Sequence, residues 1–372
     1  MGLFSIVKRL FFSSAAPSLK PTKGLLGLDL ANALFHNLVV RQEVPGISVT
    51  IRHRGSVVLQ QGYGLADRTT NTAIDPTKHQ FRIASISKCI TGLALGTMVE
   101  RQLLNLDDSV YRYVPYFPKK KHDITLRQLA AHTAGIRGYR GKEYALNRPL
   151  SIQEGITLFE NDPLVFQPGK GYLYNSFDFV LLSLAMQEAA GMPFETYVQE
   201  AVLDPLGMQN TVPEIAAAHL DSLSGGCKPI LPKKIHQSRC YTKTGQGFRE
   251  AVPFTTFYKL AGGGYLSTSA DIATMGQAIL ERRLLNEATY NELLQAQEVL
   301  GKSTYYGLGF QVSEDTQGRP YVGHVGNSVG AYTNFYVYPD AELVVAILIN
   351  CTDPKVQPTL DKAMNTILED FV

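Results

Sequence analysis

FRIASISKCITGL, residues 81–93, starts in the manner of a strand or turn and runs into a helix. It sets Ser85 and Lys88 three positions apart among apolar neighbours. On a helix, side chains at i and i+3 share a face, with Cβ atoms about 5–6 Å apart. A serine hydroxyl is a poor nucleophile until a neighbour takes its proton. A lysine can be that neighbour when burial or a second cation lowers its pKa. The helix start adds backbone N–H groups without intrahelical partners, which favour developing negative charge. The alternative is a serine that merely opens a helix and a lysine whose amine reaches solvent. S-x-x-K alone does not decide, because a chain of this length yields on the order of one by chance. Ser5-Ile-Val-Lys8 is a second instance.

Outward from this stretch, periodicity organises the chain. Residues 25–42, LLGLDLANALFHNLVVRQ, put Leu30, Leu34 and Leu38 on one helical stripe. GISVTIRHRGSVVLQQGYG reads as a hairpin turning at Arg54-Gly55. Helices are expected from about Ser85 to Gln102, in DITLRQLAAHTAGI from Asp123, and in FDFVLLSLAMQEAAG, where Gly191 is the stop signal. SADIATMGQAILERR is expected to start a helix with Ser269 as cap and Asp271 in its first turn. GAYTNFYVY and LVVAILIN read as strands about a PDAE turn, the second buried on both faces. Leu360, Ala363, Met364, Ile367 and Phe371 mark a final helix. Residues 211–260 show no clear period, and Gly262, Gly263 and Gly264 read as a close-packed strand end.

Strands therefore gather at the two ends of the chain and helices fill the middle. The fold class is α+β: an antiparallel sheet flanked by N- and C-terminal helices, with a mainly helical lobe inserted. The expected division is a leader over 1–24 and one catalytic domain over 25–372. Its sheet part takes 25–84 and 262–372 and its helical lobe 85–261. A cleft should lie between the two.

Composition narrows the function. With 372 residues, 45% hydrophobic and 18% charged, the chain can bury a large core. A net charge of +2 gives no nucleic-acid footprint. No run of 18 apolar residues suggests a membrane span. No His, Cys, Asp or Glu group has metal-ligand spacing, and no cofactor is expected. Cys89 and Cys351 read as buried free thiols, while Cys227 and Cys240 could meet across a loop. The leader MGLFSIVKRLFFSSAAPSLK is basic and Ser-rich without an acid. It leaves export or mitochondrial import open beside the favoured cytoplasm.

Two later stretches follow Ser85-x-x-Lys88 in order. Tyr174-Asn175-Ser176 comes after a Pro/Gly loop and before a helix, and His324-Val325-Gly326 enters the final strand pair. S-x-x-K, then Y-x-N or S-x-N, then K-T-G or H-x-G is the signature set of penicillin-recognising serine enzymes. Lys243-Thr244-Gly245 and Tyr332-Thr333-Asn334 match more literally but in the wrong order. YTKTGQGF also reads as a turn between short segments. A glycine at 326 would let a substrate lie against the strand backbone. His132, in AHTAG, reads as a residue that holds a turn.

With these motifs the chain resembles the serine β-lactamase-like hydrolases, the group of class C β-lactamases, D-Ala-D-Ala carboxypeptidases and related esterases. PGISVTIRHRGSVVLQQGYGLAD, LNLDDSVYRYVPYFP, FQPGKGYLYNSFDFVLLSLAMQEAAG, DPLGM, AGGGYLSTSADIATMG and GHVGNSVGAY carry the resemblance from about 28 to 350. FRIASISK, AHTAGIRGY and YLYNSFDFVLL are most similar to the mitochondrial serine β-lactamase-like branch and its bacterial relatives. The resemblance implies that Ser85 is acylated by an ester, peptide or other small acyl substrate. Lys88 and Tyr174 would shuttle the proton, with the choice of base open. The N–H groups of Ser85 and Asn327 would hold the oxyanion. His324 would stand where the K-T-G lysine contacts a substrate carboxylate, and Ser176 where most relatives carry Asn. Both departures imply weak β-lactam turnover. A true β-lactamase or carboxypeptidase, a filament-forming scaffold with a vestigial site, and a homo-oligomer are the other readings.

Overall fold

The computed structural model describes residues 18–215 and 236–371. Seven strands form the main sheet: β1 (Gly46–His53), β2 (Ser56–Asp67), β3 (Thr72–Ala73), β4 (Gln311–Glu314), β5 (Pro320–Ser328), β6 (Ala331–Tyr338) and β7 (Leu343–Ile349). Their order is β4-β5-β6-β7-β1-β2-β3, antiparallel throughout. β7 joins the two ends of the chain, with Ile349 opposite Ile47 and Leu343 opposite His53. The β1–β2 hairpin turns at Arg54-Gly55 as expected. The leader up to residue 17 and the Cys227 side of the Cys227–Cys240 question lie outside the described residues. Cys89, Cys240 and Cys351 are free thiols, the first and last buried.

β7 is apolar at every position because it has no solvent face. Side chains alternate across a strand. Val345, Ile347 and Ile349 point into one core with Phe35, Leu38, Leu360 and Ile367 of the terminal helices. Val344, Ala346 and Leu348 point into a second core shared with the helical region. The helices that frame the site are α1 (Gly27–Val40), α2 (Ser87–Glu100), α3 (Leu126–Ala130), α4 (Phe177–Ala190), α5 (Ser269–Leu280) and α6 (Gln357–Glu369). α1 and α6 cover the first face of the sheet and α5 the second. α2 is buried from Ser87 to Met98 and α4 from Phe177 to Met186. Both are interior helices, which is why neither shows a polar stripe. Among the described residues no helix is long and apolar enough to cross a membrane.

Three local expectations change. α5 is capped by Thr268, whose hydroxyl accepts from the Asp271 N–H at 3.1 Å. The Ser269 hydroxyl is taken instead by Ser48 and Thr50 of β1, each at 2.8 Å, tying helix to sheet. Gly262 and Gly263 belong to a short helical turn, Leu260–Gly263, and the strand begins only at Tyr265. The stretch 211–260 includes a hairpin, Tyr241–Thr244 with Gly247–Glu250, which pairs with Cys351–Thr352. Lys243-Thr244-Gly245 is its tip, as a turn between short segments should be, and does not line the cleft described below.

α5 lies close on the sheet through Gly276. A Cβ there would sit 2.4 Å from Val344 Cγ1 and 2.8 Å from Phe335 Cε2. Both neighbours are buried and cannot step aside. Gly276→Leu is therefore expected to destabilise the protein by about 1–3 kcal/mol, measured as a lower urea midpoint at unchanged slope.

Candidate active site

The Ser85 stretch hangs from a short strand. Phe81–Arg82 pairs with Tyr265–Ser267, and the Ile83 N–H donates to Tyr265 O at 3.1 Å. Ala84 then turns the chain with φ +47°, a left-handed conformation costly for any residue with a Cβ. Ser85 follows in a 3-10 turn that leads into α2. The turn is pressed against β5. A Cβ on Gly326 would lie 2.4 Å from Thr333 Oγ1, 2.9 Å from Ala84 Cβ and 3.0 Å from Ile83 O. The glycine admits the Ile83–Ala84 turn, which packs where a side chain at 326 would lie.

Two groups reach one hydroxyl. Tyr174 Oη lies 2.7 Å from Ser85 Oγ and Lys88 Nζ lies 3.2 Å from it. Lys88 has no exposed surface. Its Nζ also donates to Gly262 O at 2.7 Å and faces the rings of Tyr174 and Phe179 at 4.8 and 5.3 Å. Burial, and then the charge of Lys259, push the Lys88 amine down to about 7. A neutral amine can donate to Gly262 O and still offer its lone pair to the Ser85 proton, whereas an ammonium can only donate. The Tyr174 phenol moves the other way, raised by burial of its hydroxyl.

Ser85 and Tyr174 open onto a cleft of 460 Å³, a size suited to a small ligand, with Lys88 buried behind them. Ser176, Asn327 and Lys259 also line it. Val325 N–H donates to the Gln311 side chain at 3.0 Å, so it points away from β6. Residues two apart on a strand share an edge. The Asn327 N–H therefore faces the same edge, past Gly323 where pairing with β4 ends. Asn175 turns inward, its amide donating to Asp178 at 2.7 Å and to Leu173 O at 2.9 Å. A larger cavity of 570 Å³ between Leu104 and Thr289 is not lined by Ser85, Lys88 or Tyr174.

His324 is not brought to the cleft. It is 1% exposed and sits behind Tyr174, ring centres 5.8 Å apart. Its Nδ1 donates to Val325 O at 2.7 Å, and Nε2 accepts from Tyr306 Oη at 3.1 Å. Burial, then the charge of Lys88, drop its pKa to about 3, so it is neutral. A neutral imidazole with both nitrogens engaged supplies no charge to a carboxylate.

The beta-lactamase family model matches residues 31–367. The chain belongs to the beta-lactamase family. It is 26% identical to the mitochondrial serine beta-lactamase-like protein LACTB of Bos taurus, over 88% of this chain and 74% of that protein. Penicillin-binding protein 4* of Bacillus subtilis is 23% identical, over 90% and 74%. Among solved structures, an octameric penicillin-binding protein homologue from Pyrococcus abyssi superposes with a TM-score of 0.76 at 24% identity, covering 93% of this chain and 79% of that one. The D-amino acid amidase of Ochrobactrum anthropi gives 0.76 at 20%, covering 92% and 99%. The family of this chain thus sits on a β-lactamase fold shared with amidases and penicillin-binding proteins.

Two elements of the site escape sequence reasoning. His132 has φ +60°, and its Nδ1 lies 2.9 Å from Asp178 Oδ2. Its ring packs on Tyr174 at 4.6 Å and Tyr306 at 4.8 Å, so it forms the floor under the phenol as well as the turn. Burial disfavours the charged form of each, lowering His132 and raising Asp178. Lys259 could have been noticed only as a lone lysine in the apolar run FYKLAGGGYL.

Adding one methyl at Gly326 tests the contact that seats the nucleophile. Gly326→Ala should lower stability by about 1–3 kcal/mol and displace the Ser85 turn. A crystal structure of the variant with Ile83 and Ala84 unmoved would contradict this account.

Proposed function

We propose that this family member is a serine hydrolase that forms an acyl-enzyme on Ser85 and cleaves esters or amides, with little β-lactam turnover. The observation that carries it is the convergence of Lys88 Nζ and Tyr174 Oη on Ser85 Oγ at the mouth of a cleft. Lys88, neutral in about half the molecules at pH 7, removes in that form the hydroxyl proton as Oγ attacks the carbonyl carbon. The Tyr174 phenol passes a proton to the leaving group, and water then reverses the sequence to release the acid. The N–H groups of Ser85 and Asn327 receive the oxyanion, each donor typically worth about 3–4 kcal/mol. The neutral, recessed His324 and Ser176 in place of an amide argue against efficient β-lactam binding. Intact Ser85, Lys88 and Tyr174 argue against a vestigial site in a scaffold. Self-association is part of the proposal, since a homologue of the same fold is octameric; light scattering at the monomer mass would overturn it.

Ser85→Ala should cut turnover of a 4-nitrophenyl ester by about 10³-fold or more and abolish fluorophosphonate labelling. Retained labelling would move the nucleophile elsewhere. Lys243→Ala should leave turnover within about twofold, whereas Lys88→Met should lower it by about 10²-fold or more.

The pH profile has a defined sign. The titratable groups that bear on Lys88 are Lys259, Cys89 and Asp178, the last two with their charged forms disfavoured by burial. The amine must be neutral to act, so kcat/KM should rise as pH climbs through about 7 and level above it. A profile flat from pH 5 to 9, on a substrate whose chemistry limits the rate, would exclude Lys88 as the base.

A further inference from the structure

We infer that Lys259 is the anion-binding residue of the cleft and that the substrates carry a carboxylate. This rests on the hydrolase reading and names the substrate class of that site. Lys259 is the one charged side chain among the described residues that line the cleft. The residue is only 7% exposed. Its Nζ lies 4.3 Å from the centre of the Phe254 ring and 5.2 Å from that of Tyr139. Among the described residues it makes no ion pair. The acid whose charge reaches it, Glu214, is already held by Arg82 at 2.9 Å and by the Thr256 hydroxyl at 2.9 Å. Burial, then the charge of Arg82, lowers this amine to about 7, so its cationic form is balanced against the neutral one, and ring faces compensate only part of the desolvation cost. An incoming anion would complete the compensation.

The rest of the cleft points the same way. The position where relatives carry a cation, His324, is neutral and recessed here, so the positive charge available to the cleft is that of Lys259. One lysine matches a single negative charge. The guanidinium that a phosphate dianion would need, Arg82, is spent on Glu214, Val329 O and Phe254 O. Lys259 and Ser85 border the same space, so a carboxylate at one end of a substrate can be held while a carbonyl meets the hydroxyl.

The test compares esters that differ by a charge. On the acyl side, 4-nitrophenyl hydrogen glutarate is set against 4-nitrophenyl butyrate; on the leaving side, 3-acetoxybenzoate is set against phenyl acetate. In at least one pair the anionic ester should lead in kcat/KM by about tenfold or more, the scale of a hydrogen bond between charged groups. Lys259→Met should bring that ratio close to one, and Lys259→Arg should keep most of it. No preference in either pair, or one that survives in Lys259→Met, overturns the inference. So does a fall shared by both esters with their ratio unchanged, since Lys259 would then act only on the Lys88 amine. Saturation-transfer NMR of 4-phenylbutyrate against 4-phenylbutanol makes the same comparison without turnover. Should wild-type protein hydrolyse no ester and Ser85 stay unlabelled, the hydrolase reading fails, while the NMR ratio still decides the role of Lys259.

Discussion

Lys88 is an amine sealed inside a helix that has no solvent face for most of its length. Water cannot solvate it, and a charged form there would be expensive. The neutral form is the one that can accept a proton, so burial supplies the position and the reactivity that the proposed base needs. Everything around it follows from keeping that amine dry and aimed. Gly262 O fixes one of its protons, and the rings of Tyr174 and Phe179 close over it. Phe179 comes from α4, a second interior helix, and Tyr174 from the loop just before it.

The strand β5 shows how one short motif serves three purposes through strand alternation. His324 points inward and is locked neutral between Val325 O and Tyr306. Gly326, on the same face, gives up its side chain so that the Ala84 turn can touch the strand. Asn327 lies on the other face, and its backbone N–H looks past the end of β4. Within that motif Gly326 seats the Ser85 turn and His324 packs behind Tyr174.

The elements that sequence reasoning reached are those whose burial is periodic. LVVAILI, the β1–β2 hairpin and the terminal helices declare their faces through apolar spacing, and the antiparallel α+β architecture follows. Ser85, Lys88 and Tyr174 were legible because two motifs fall in a known order. What escaped depends on distance in space with no period in sequence. Lys259 approaches Ser85 across 174 positions of chain, by way of a one-turn helix that looks like a strand end. The Thr268 cap was missed because Ser269 satisfies the same local rule, and only the contact of Ser269 with β1 separates them. His324 looked available because a strand pattern fixes a side chain's face and says nothing about what packs on it.

Several unfavourable local choices lie around Ser85, although left-handed non-glycine residues also occur elsewhere, at Gln42, Asn71 and Leu300 among others. Ala84 and His132 both adopt left-handed backbone without being glycine. Lys88, Asp178 and Lys259 are ionisable groups placed where their charged forms are penalised. Each of these costs stability, and none improves packing. Such conflicts between local preference and global fold collect at functional sites. Here they are held by two independent supports, the double-faced strand β7 and the interior helices α2 and α4. That arrangement separates the parts that stabilise the protein from the part that would react. Replacing Lys88 or Lys259 with an apolar residue of similar length should therefore raise the melting temperature while impairing the site, the trade expected where a strained constellation is kept for its chemistry.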